Sequence, residues 1–270
     1  MMVRVKDITI SNDSPFVLIA GPCAIETVNH AVFMARQIKK IADELNIPFI
    51  YKSSFDKANR TSIDSKRGLG VRNGLGALAE VKRLVGCPVL TDVHETHQIE
   101  QVAEVVDVIQ IPAFLCRQTD LLLAAGETGK PINVKKGQFL SPEDMYNVVK
   151  KIESTGNKNI MLCERGTMFG YNNLIVDFRS IPIMKETGCP IVMDATHSVQ
   201  RPGGKGTSSG GNREYVPLMA RSALVQGVAA VFIECHQDPD NAPSDGPNMV
   251  RLNELEDLLR ELKRIDDLVK

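Results

Sequence analysis

Two groups of side chains in this sequence have the types and placement to do chemistry. Cys23, His197, Glu234 and Asp245 offer a thiol, an imidazole and two carboxylates, each at or just beyond the end of an apolar run. Together they form an S/N/O donor set that suits one divalent zinc or iron ion and leaves manganese and cobalt open. Cys235 and His236 flank Glu234 as spare candidates, and strand alternation puts Glu234 and His236 on one face and Cys235 on the other. The second group is cationic: Lys52, Lys57, Arg60, Lys135 and Arg165. Cations brought together repel one another unless an anion lies between them. A close cation–anion contact is worth about 4 kcal/mol at an effective dielectric near 20, before desolvation. Arginine also grips carboxylate or phosphate through two parallel hydrogen bonds. So many cations imply more than one anionic group, as in a phosphorylated substrate.

These residues need a scaffold that gathers distant positions. Eight short, β-branched-rich runs supply it, at residues 16–21, 49–53, 88–93, 108–113, 132–136, 160–165, 191–197 and 230–236. Near-continuous apolar runs fit parallel strands covered on both faces. Helical periodicity lies between most of them: Met34, Ile38, Ile41, Ala42 and Leu45 share one face, as do Leu252, Leu255, Leu259 and Leu262. Ser141-Pro142-Glu143-Asp144 reads as a helix start capped by the Ser141 hydroxyl. Eight β-then-α units imply a (β/α)8 TIM barrel, and the alternating segments 3–5 and 8–10 imply an added N-terminal β-hairpin within residues 1–14. A doubly wound sheet is disfavoured, because the first turn reads Gly21-Pro22-Cys23 rather than G-x-G-x-x-G; no P-loop motif occurs either. We read residues 1–270 as one domain.

In such a barrel the reaction takes place at the C-terminal ends of the strands. Those ends are polar here: Cys23, Lys52-Ser53-Ser54, Asp92-Val93-His94-Glu95, Gln110, Lys135-Lys136, Glu164-Arg165-Gly166, Asp194-Ala195-Thr196-His197 and Glu234-Cys235-His236. The glycine- and cation-rich segment 201–213 follows the seventh run and is placed to act as a lid.

Composition sets the outer limits. The chain has 270 residues, 43% hydrophobic and 24% charged, with a formal net charge of −1. That excludes a disordered chain and argues against a nucleic-acid binder, which carries a basic excess. No apolar run reaches the roughly 18 residues of a membrane span, and the N-terminus lacks the apolar core of a signal peptide, so a cytoplasmic protein is expected. The six cysteines are widely and irregularly spaced, as buried small hydrophobes are, and form no disulfide or zinc-finger pattern.

The motifs resemble the 3-deoxy-D-manno-octulosonate 8-phosphate synthases, in their metal-using branch. The likeness rests on G-P-C-A-I-E at 21–26, K-S-S-F-D-K-A-N-R-T-S at 52–62, Q-I-P-A-F-L-C-R-Q-T-D-L at 110–121 and N-V-K-K-G-Q-F at 133–139. It continues in E-R-G-T-M-F-G-Y-N-N-L at 164–174, D-A-T-H-S-V-Q at 194–200 and S-D-G-P at 244–247. The resemblance implies a homotetrameric TIM barrel that joins phosphoenolpyruvate to arabinose 5-phosphate and releases phosphate. It further implies a metal held by Cys23, His197, Glu234 and Asp245, since Cys rather than Asn stands at the strand-1 position. Lys57, Lys135 and Arg165 are implied to bind phosphoenolpyruvate, with Gln110 and Ser54 lining its pocket and Lys52 close by. Asn59 is implied to meet the sugar hydroxyls, and Arg60 and Thr61 the distal phosphate, by reaching into a neighbouring subunit's site. Asp92 and Asp245 are implied to fix acceptor hydroxyls, and Lys57, His197, Asp245 and Cys23 to be catalytic. The runner-up is the related seven-carbon synthase that uses erythrose 4-phosphate; its K-P-R-T-S type loop is replaced here by Lys57-Ala58-Asn59-Arg60. A metal-dependent barrel hydrolase and a non-catalytic sugar-phosphate binder are the readings from other classes.

Overall fold

The eight apolar runs become eight strands: β1 (Val17–Gly21), β2 (Phe49–Lys52), β3 (Val89–Asp92), β4 (Val108–Ile111), β5 (Ile132–Lys135), β6 (Ile160–Glu164), β7 (Ile191–Asp194) and β8 (Ala230–His236). Each pairs in parallel with its sequence neighbour, and β8 pairs with both β7 and β1, so the sheet closes on itself. The structure is a computed structural model describing residues 1–204, 206 and 209–270. Helices fill the crossovers, α1 (Val28–Glu44), α2 (Gly70–Val85), α3 (Ile99–Val105), α4 (Thr119–Glu127), α5 (Met145–Glu153), α6 (Ser180–Lys185) and α7 (Val216–Val225), and α8 (Leu252–Val269) follows β8. The architecture is the TIM barrel that the sequence implies.

Alternation along the strands divides the core into two layers. Leu18, Ala20, Tyr51 and Cys235 point outward and pack with Met34, Ile38, Leu78 and Leu259 from the helices. Val17, Ile19, Ile50, Leu90, Val108, Met161, Val192 and Phe232 point inward. They share that inner layer with Val3, Val5 and Ile10 of the antiparallel hairpin Val3–Val5/Ile8–Ile10. The hairpin therefore closes the bottom of the barrel, and the same inward face is left polar at the top. Gly21 permits that closure: a Cβ on it would meet the Lys52 carbonyl oxygen at 2.0 Å, so only glycine lets β1 end this close to β2.

Two boundaries differ from expectation. The helix after β5 starts at Met145 rather than at the Ser141-Pro142 pair, and no side chain caps it. The Ser141 carbonyl oxygen, not its hydroxyl, accepts the Asp144 N–H at 3.3 Å, so residues 141–144 form a turn that feeds the helix. The seventh strand stops at Asp194, and His197 opens a short 3-10 turn, His197–Val199, above the barrel. All six cysteines are free and buried. Among the described residues no helix is long and apolar enough to cross a membrane.

Ile10 is fully buried between hairpin and barrel. We expect Ile10→Ala to cost about 2–5 kcal/mol, lowering Tm by several degrees, while substrate affinity at the opposite end stays at the wild-type level. Thermal unfolding and ligand titration of the same variant check both halves.

Candidate active site

The inward positions at the strand tips are Lys52, Asp92, Gln110, Lys135, Arg165, Asp194 and Glu234, and all are at most 6% exposed. Lys52, Asp92, Gln110, Lys135 and Arg165 line a cavity of about 410 Å³, together with Lys57, Asn59, Arg60 and Thr61 from the segment after β2, and His197 and Asp245. Ser54, Cys23 and Glu234 lie beneath its wall. Ser54 donates to Asp92 and accepts from Lys52 Nζ at 3.1 Å.

The four expected donors gather at one side. Cys23 Sγ donates to Asp245 Oδ2 at 3.1 Å, and one donor atom each from Cys23, Glu234 and Asp245 lies within 4.8 Å of the others. His197 Nε2 stands 3.5 Å from Glu234 Oε2 and 4.0 Å from Asp245 Oδ2. Ligands of a tetrahedral ion with bonds of about 2.1–2.3 Å sit roughly 3.4–3.8 Å apart, close to the His197–Glu234 spacing, while His197 stands outside the set of three whose donor atoms all lie within 4.8 Å of one another. Two further observations agree. Glu234 Oε2 is buried with no hydrogen-bond partner, which leaves a lone pair facing the cluster. His197 Nδ1 bonds Asp194 Oδ2 at 2.8 Å, the outer carboxylate contact that turns Nε2 toward a metal. Asp245 adopts a left-handed backbone (φ 50°), uncommon for a residue with a side chain.

The cluster's electrostatics follow from burial. Burial raises the Cys23 thiol well above its ordinary value, and the Glu234 carboxylate adds to the effect. Burial would also raise Glu234, but His197, Lys52 and Lys57 outweigh it and hold the carboxyl at about 2. His197 and Lys57 likewise overcome burial at Asp245, keeping it far below the carboxylate range. Lys57 is pulled down by burial but raised further by Cys23, Glu234, Asp92 and Asp245, so it stays protonated.

The cationic group is less bare than the sequence implies. Lys52 Nζ pairs with Glu234 Oε1 at 2.9 Å, and Lys135 pairs with Asp194 while its ammonium lies 4.0 Å from the centre of the Phe232 ring. Buried acids thus compensate two of the five cations, an arrangement that strand spacing alone did not reveal. Arg165 is different. Its Nε and Nη1 are buried without partners, and Nη2 donates to Gln200 Oε1 at 3.2 Å. Burial lowers its pKa in spite of Asp194, as for a guanidinium with no anion in contact. Arg60 donates to the Lys66 and Pro243 carbonyls of its own chain at 2.9 Å each and lines its own chain's cavity.

The spare candidates separate from the cluster. Cys235 faces the outer core. His236 accepts the Asp238 N–H on Nδ1 at 3.0 Å and donates from Nε2 to Glu26 Oε1 at 2.7 Å, beside His30. With Glu26 and His30 it forms a second group whose donor atoms lie within 4.8 Å of one another. β8 runs past the rim there, pairing with Val250–Arg251.

Sequence reasoning assigned no role to Gln138, Gln200 or His94, which also line the cavity. Gln200 closes the D-A-T-H-S-V-Q motif, and its amide donates to Asp245 Oδ1 at 2.8 Å, a role its motif position pointed toward. His94 bonds Asp92 Oδ2 at 3.0 Å. Gln138 lies past the end of β5, where no periodicity applies. Pro202, Gly203 and Ser209 bring the 201–213 segment onto the cavity, while its residues 205, 207 and 208 lie outside the described residues.

A closed parallel barrel with this constellation at its C-terminal mouth is an enzyme built for anionic substrates, with possible metal-ligand groups beside them. Comparison with known proteins narrows that class. The model of the DAHP synthetase I family matches residues 1–270, and the chain belongs to that family. Among similar curated proteins, 2-dehydro-3-deoxyphosphooctonate aldolase of Rickettsia bellii (strain OSU 85-389) is 61% identical over 269 residues, covering 100% of this chain and 98% of the relative. The same-named protein of Bartonella henselae is 57% identical over 269 residues, covering 100% of this chain and 96% of the relative. That of Caulobacter vibrioides (strain NA1000 / CB15N) is 59% identical over 263 residues, 97% of this chain and 92% of the relative.

The donor set predicts metal-linked proton release. The buried Cys23 thiol is protonated near neutral pH, and binding a divalent ion as thiolate expels that proton. Apparent affinity then climbs about tenfold per pH unit for each proton released. Cys23→Ala is expected to lose both this slope and stoichiometric metal. Metal content after dialysis and titrations at several pH values read it, and unchanged content in Cys23→Ala overturns the assignment.

Proposed function

We infer that this chain is a 3-deoxy-D-manno-octulosonate 8-phosphate synthase, condensing phosphoenolpyruvate with D-arabinose 5-phosphate and water to give the eight-carbon product and phosphate. The observation that carries this is the 57–61% identity, across essentially the whole chain, to proteins named 2-dehydro-3-deoxyphosphooctonate aldolase. It favours this reaction over the seven-carbon alternative. The product's place is the lipopolysaccharide precursor route, and the enzyme acts in the cytoplasm.

In this reading Arg165, Lys57 and Lys135 grip the carboxylate and phosphate of phosphoenolpyruvate. Arg165's unpaired, buried donors support it, since burying a guanidinium without an anion is costly. Gln110 and Ser54 line that end, and Lys52 stands behind it. Asn59, Arg60 and Thr61 hold the acceptor, with Asp92 and Asp245 fixing its hydroxyls. Placing carbon 3 of the enol against the aldehyde carbon removes much of the entropic barrier. The carbon–carbon bond forms as the aldehyde oxygen takes up a proton. Water adds at carbon 2, where positive charge develops, and the carbon–oxygen bond to phosphate then breaks. A divalent zinc, iron, manganese or cobalt ion on Cys23, His197, Glu234 and Asp245 supplies a positive centre that orients the reacting oxygen groups. Pro202, Gly203 and Ser209, which line the mouth, limit access of bulk water. Phe114, Phe139, Phe169 and Tyr171 are between 52% and 101% exposed in the single chain, which supports self-association as a homotetramer.

Two measurements test the assignment. The chain is expected to release phosphate from phosphoenolpyruvate at least about tenfold faster, by kcat/KM, with arabinose 5-phosphate than with erythrose 4-phosphate; the reverse preference rejects it. Arg60→Ala is expected to raise KM for the pentose phosphate by about tenfold or more, with KM for phosphoenolpyruvate little changed. Equal losses for both substrates overturn the placement of Arg60 at the acceptor.

A further inference from the structure

Directly behind the cavity wall, on the opposite face of the strands, lies an ion pair with no part in the reaction described above. Lys136 follows the last residue of β5, and Glu164 is the last residue of β6. Alternation sends Lys135 and Arg165 inward, and therefore Lys136 and Glu164 outward. Both are at most 1% exposed. Lys136 Nζ lies 3.6 Å from Glu164 Oε1, donates to Thr167 Oγ1 at 3.0 Å and reaches the Leu140 carbonyl at 3.4 Å.

Glu164 has a further task. Its Oε1 accepts the backbone N–H of Arg165 at 2.9 Å and that of Gly166 at 2.6 Å. Gly166 has φ +90°, a conformation that glycine adopts without strain. The carboxylate thus folds the chain sharply at the root of Arg165, whose guanidinium is the least compensated cation of the cavity. Glu164 Oε2 has no hydrogen-bond partner, so Lys136 is the only cation paired with this carboxylate among the described residues.

We propose that Lys136 and Glu164 are positioning residues for the known reaction: the Lys136 ammonium neutralises the Glu164 carboxylate, which keeps the Arg165–Gly166 turn folded and leaves the Arg165 guanidinium free for the substrate anion. An uncompensated buried carboxylate adjoining Arg165 would draw the guanidinium or water toward itself. Either response moves the turn. Arg165 would then lose the preorganisation on which bidentate anion binding depends. The pair touches neither substrate nor metal, so its influence passes entirely through the aim of Arg165.

This inference rests on the proposed assignment of Arg165 to phosphoenolpyruvate, and its test separates the two. Phosphoenolpyruvate binding to the metal-loaded protein is measured by calorimetry without sugar phosphate, and turnover is measured in parallel. Lys136→Met is expected to weaken phosphoenolpyruvate binding and raise its KM by about tenfold, with kcat reduced far less and KM for the pentose phosphate nearly unchanged. Lys136→Arg, which retains the charge, is expected to stay within about threefold of wild type. The double variant Lys136→Met/Glu164→Gln removes both charges and is expected to recover most of the lost affinity. A purely structural pair would instead lower Tm and affect both substrates alike. The proposal is overturned if Lys136→Met leaves phosphoenolpyruvate affinity unchanged, or if the double variant binds no better than the single one. Should Lys136→Met fail to fold, the double variant and Lys136→Arg decide alone: both must bind phosphoenolpyruvate close to wild type. Failure of wild type to bind phosphoenolpyruvate would instead reject the substrate assignment itself.

Discussion

A parallel barrel buries the tips of its strands, and in this chain those tips are charged. Desolvation disfavours every ion placed there, so the site is stable only because opposite charges are interleaved. Lys52 stands on Glu234, Lys135 on Asp194, and His197 on Asp194 at one nitrogen while facing Glu234 at the other. The depressed carboxyls follow directly: burial pushes Glu234 and Asp194 upward, but the nearby cations and His197 outweigh it. The interleaving also explains why the chain's net charge of −1 conceals a site for anions. Compensation is local, and it stops short at Arg165, whose buried Nε and Nη1 lack protein partners among the described residues.

The donor cluster shows the opposite imbalance. Cys23, Glu234 and Asp245 add acidic or acid-forming groups within a few ångströms, with an orphaned carboxylate oxygen among them. Lys52, Lys57 and His197 oppose that negative potential. One end of the cavity therefore calls for an anion and the other for a cation, separated by a single layer of paired charges. Asp245 completes the cluster from a loop rather than a strand, in a left-handed conformation that the surrounding contacts hold in place, including the Gln200 amide on its second oxygen.

The barrel was legible because each strand is a nearly continuous apolar run, and because period two is unambiguous once a run is fixed. Their position at the C-terminal ends of the runs placed Lys52, Gln110 and Lys135 at the mouth, where they line the cavity. Sequence reasoning failed where regular structure ends: Ser141 sits in a turn whose carbonyl, rather than its hydroxyl, accepts the Asp144 N–H. Charge pairing was not legible. Lys135 and Asp194 are 59 positions apart and Lys52 and Glu234 are 182 apart, so no local pattern links them. Five cations were therefore read as one uncompensated set, whereas the fold neutralises two of them internally.

Alternation carries a last consequence at the β5 and β6 ends. Adjacent charged residues, Lys135-Lys136 and Glu164-Arg165, cannot face the same side, so a strand end with two charges must bury one away from the cavity. A lone charge in the outer layer between strands and helices would be costly there. The two outward charges meet across the β5–β6 pairing, where Lys135 and Cys163 are in register, and each removes the other's penalty. Two strand ends can then each present a cation to the cavity while their outward neighbours form a pair of opposite sign. The outward ion pair is thus the physical counterpart of the inward anion site: a barrel that points both Lys135 and Arg165 at a substrate has to dispose of Lys136 and Glu164 behind them, and it does so in the contact that braces the turn bearing Arg165.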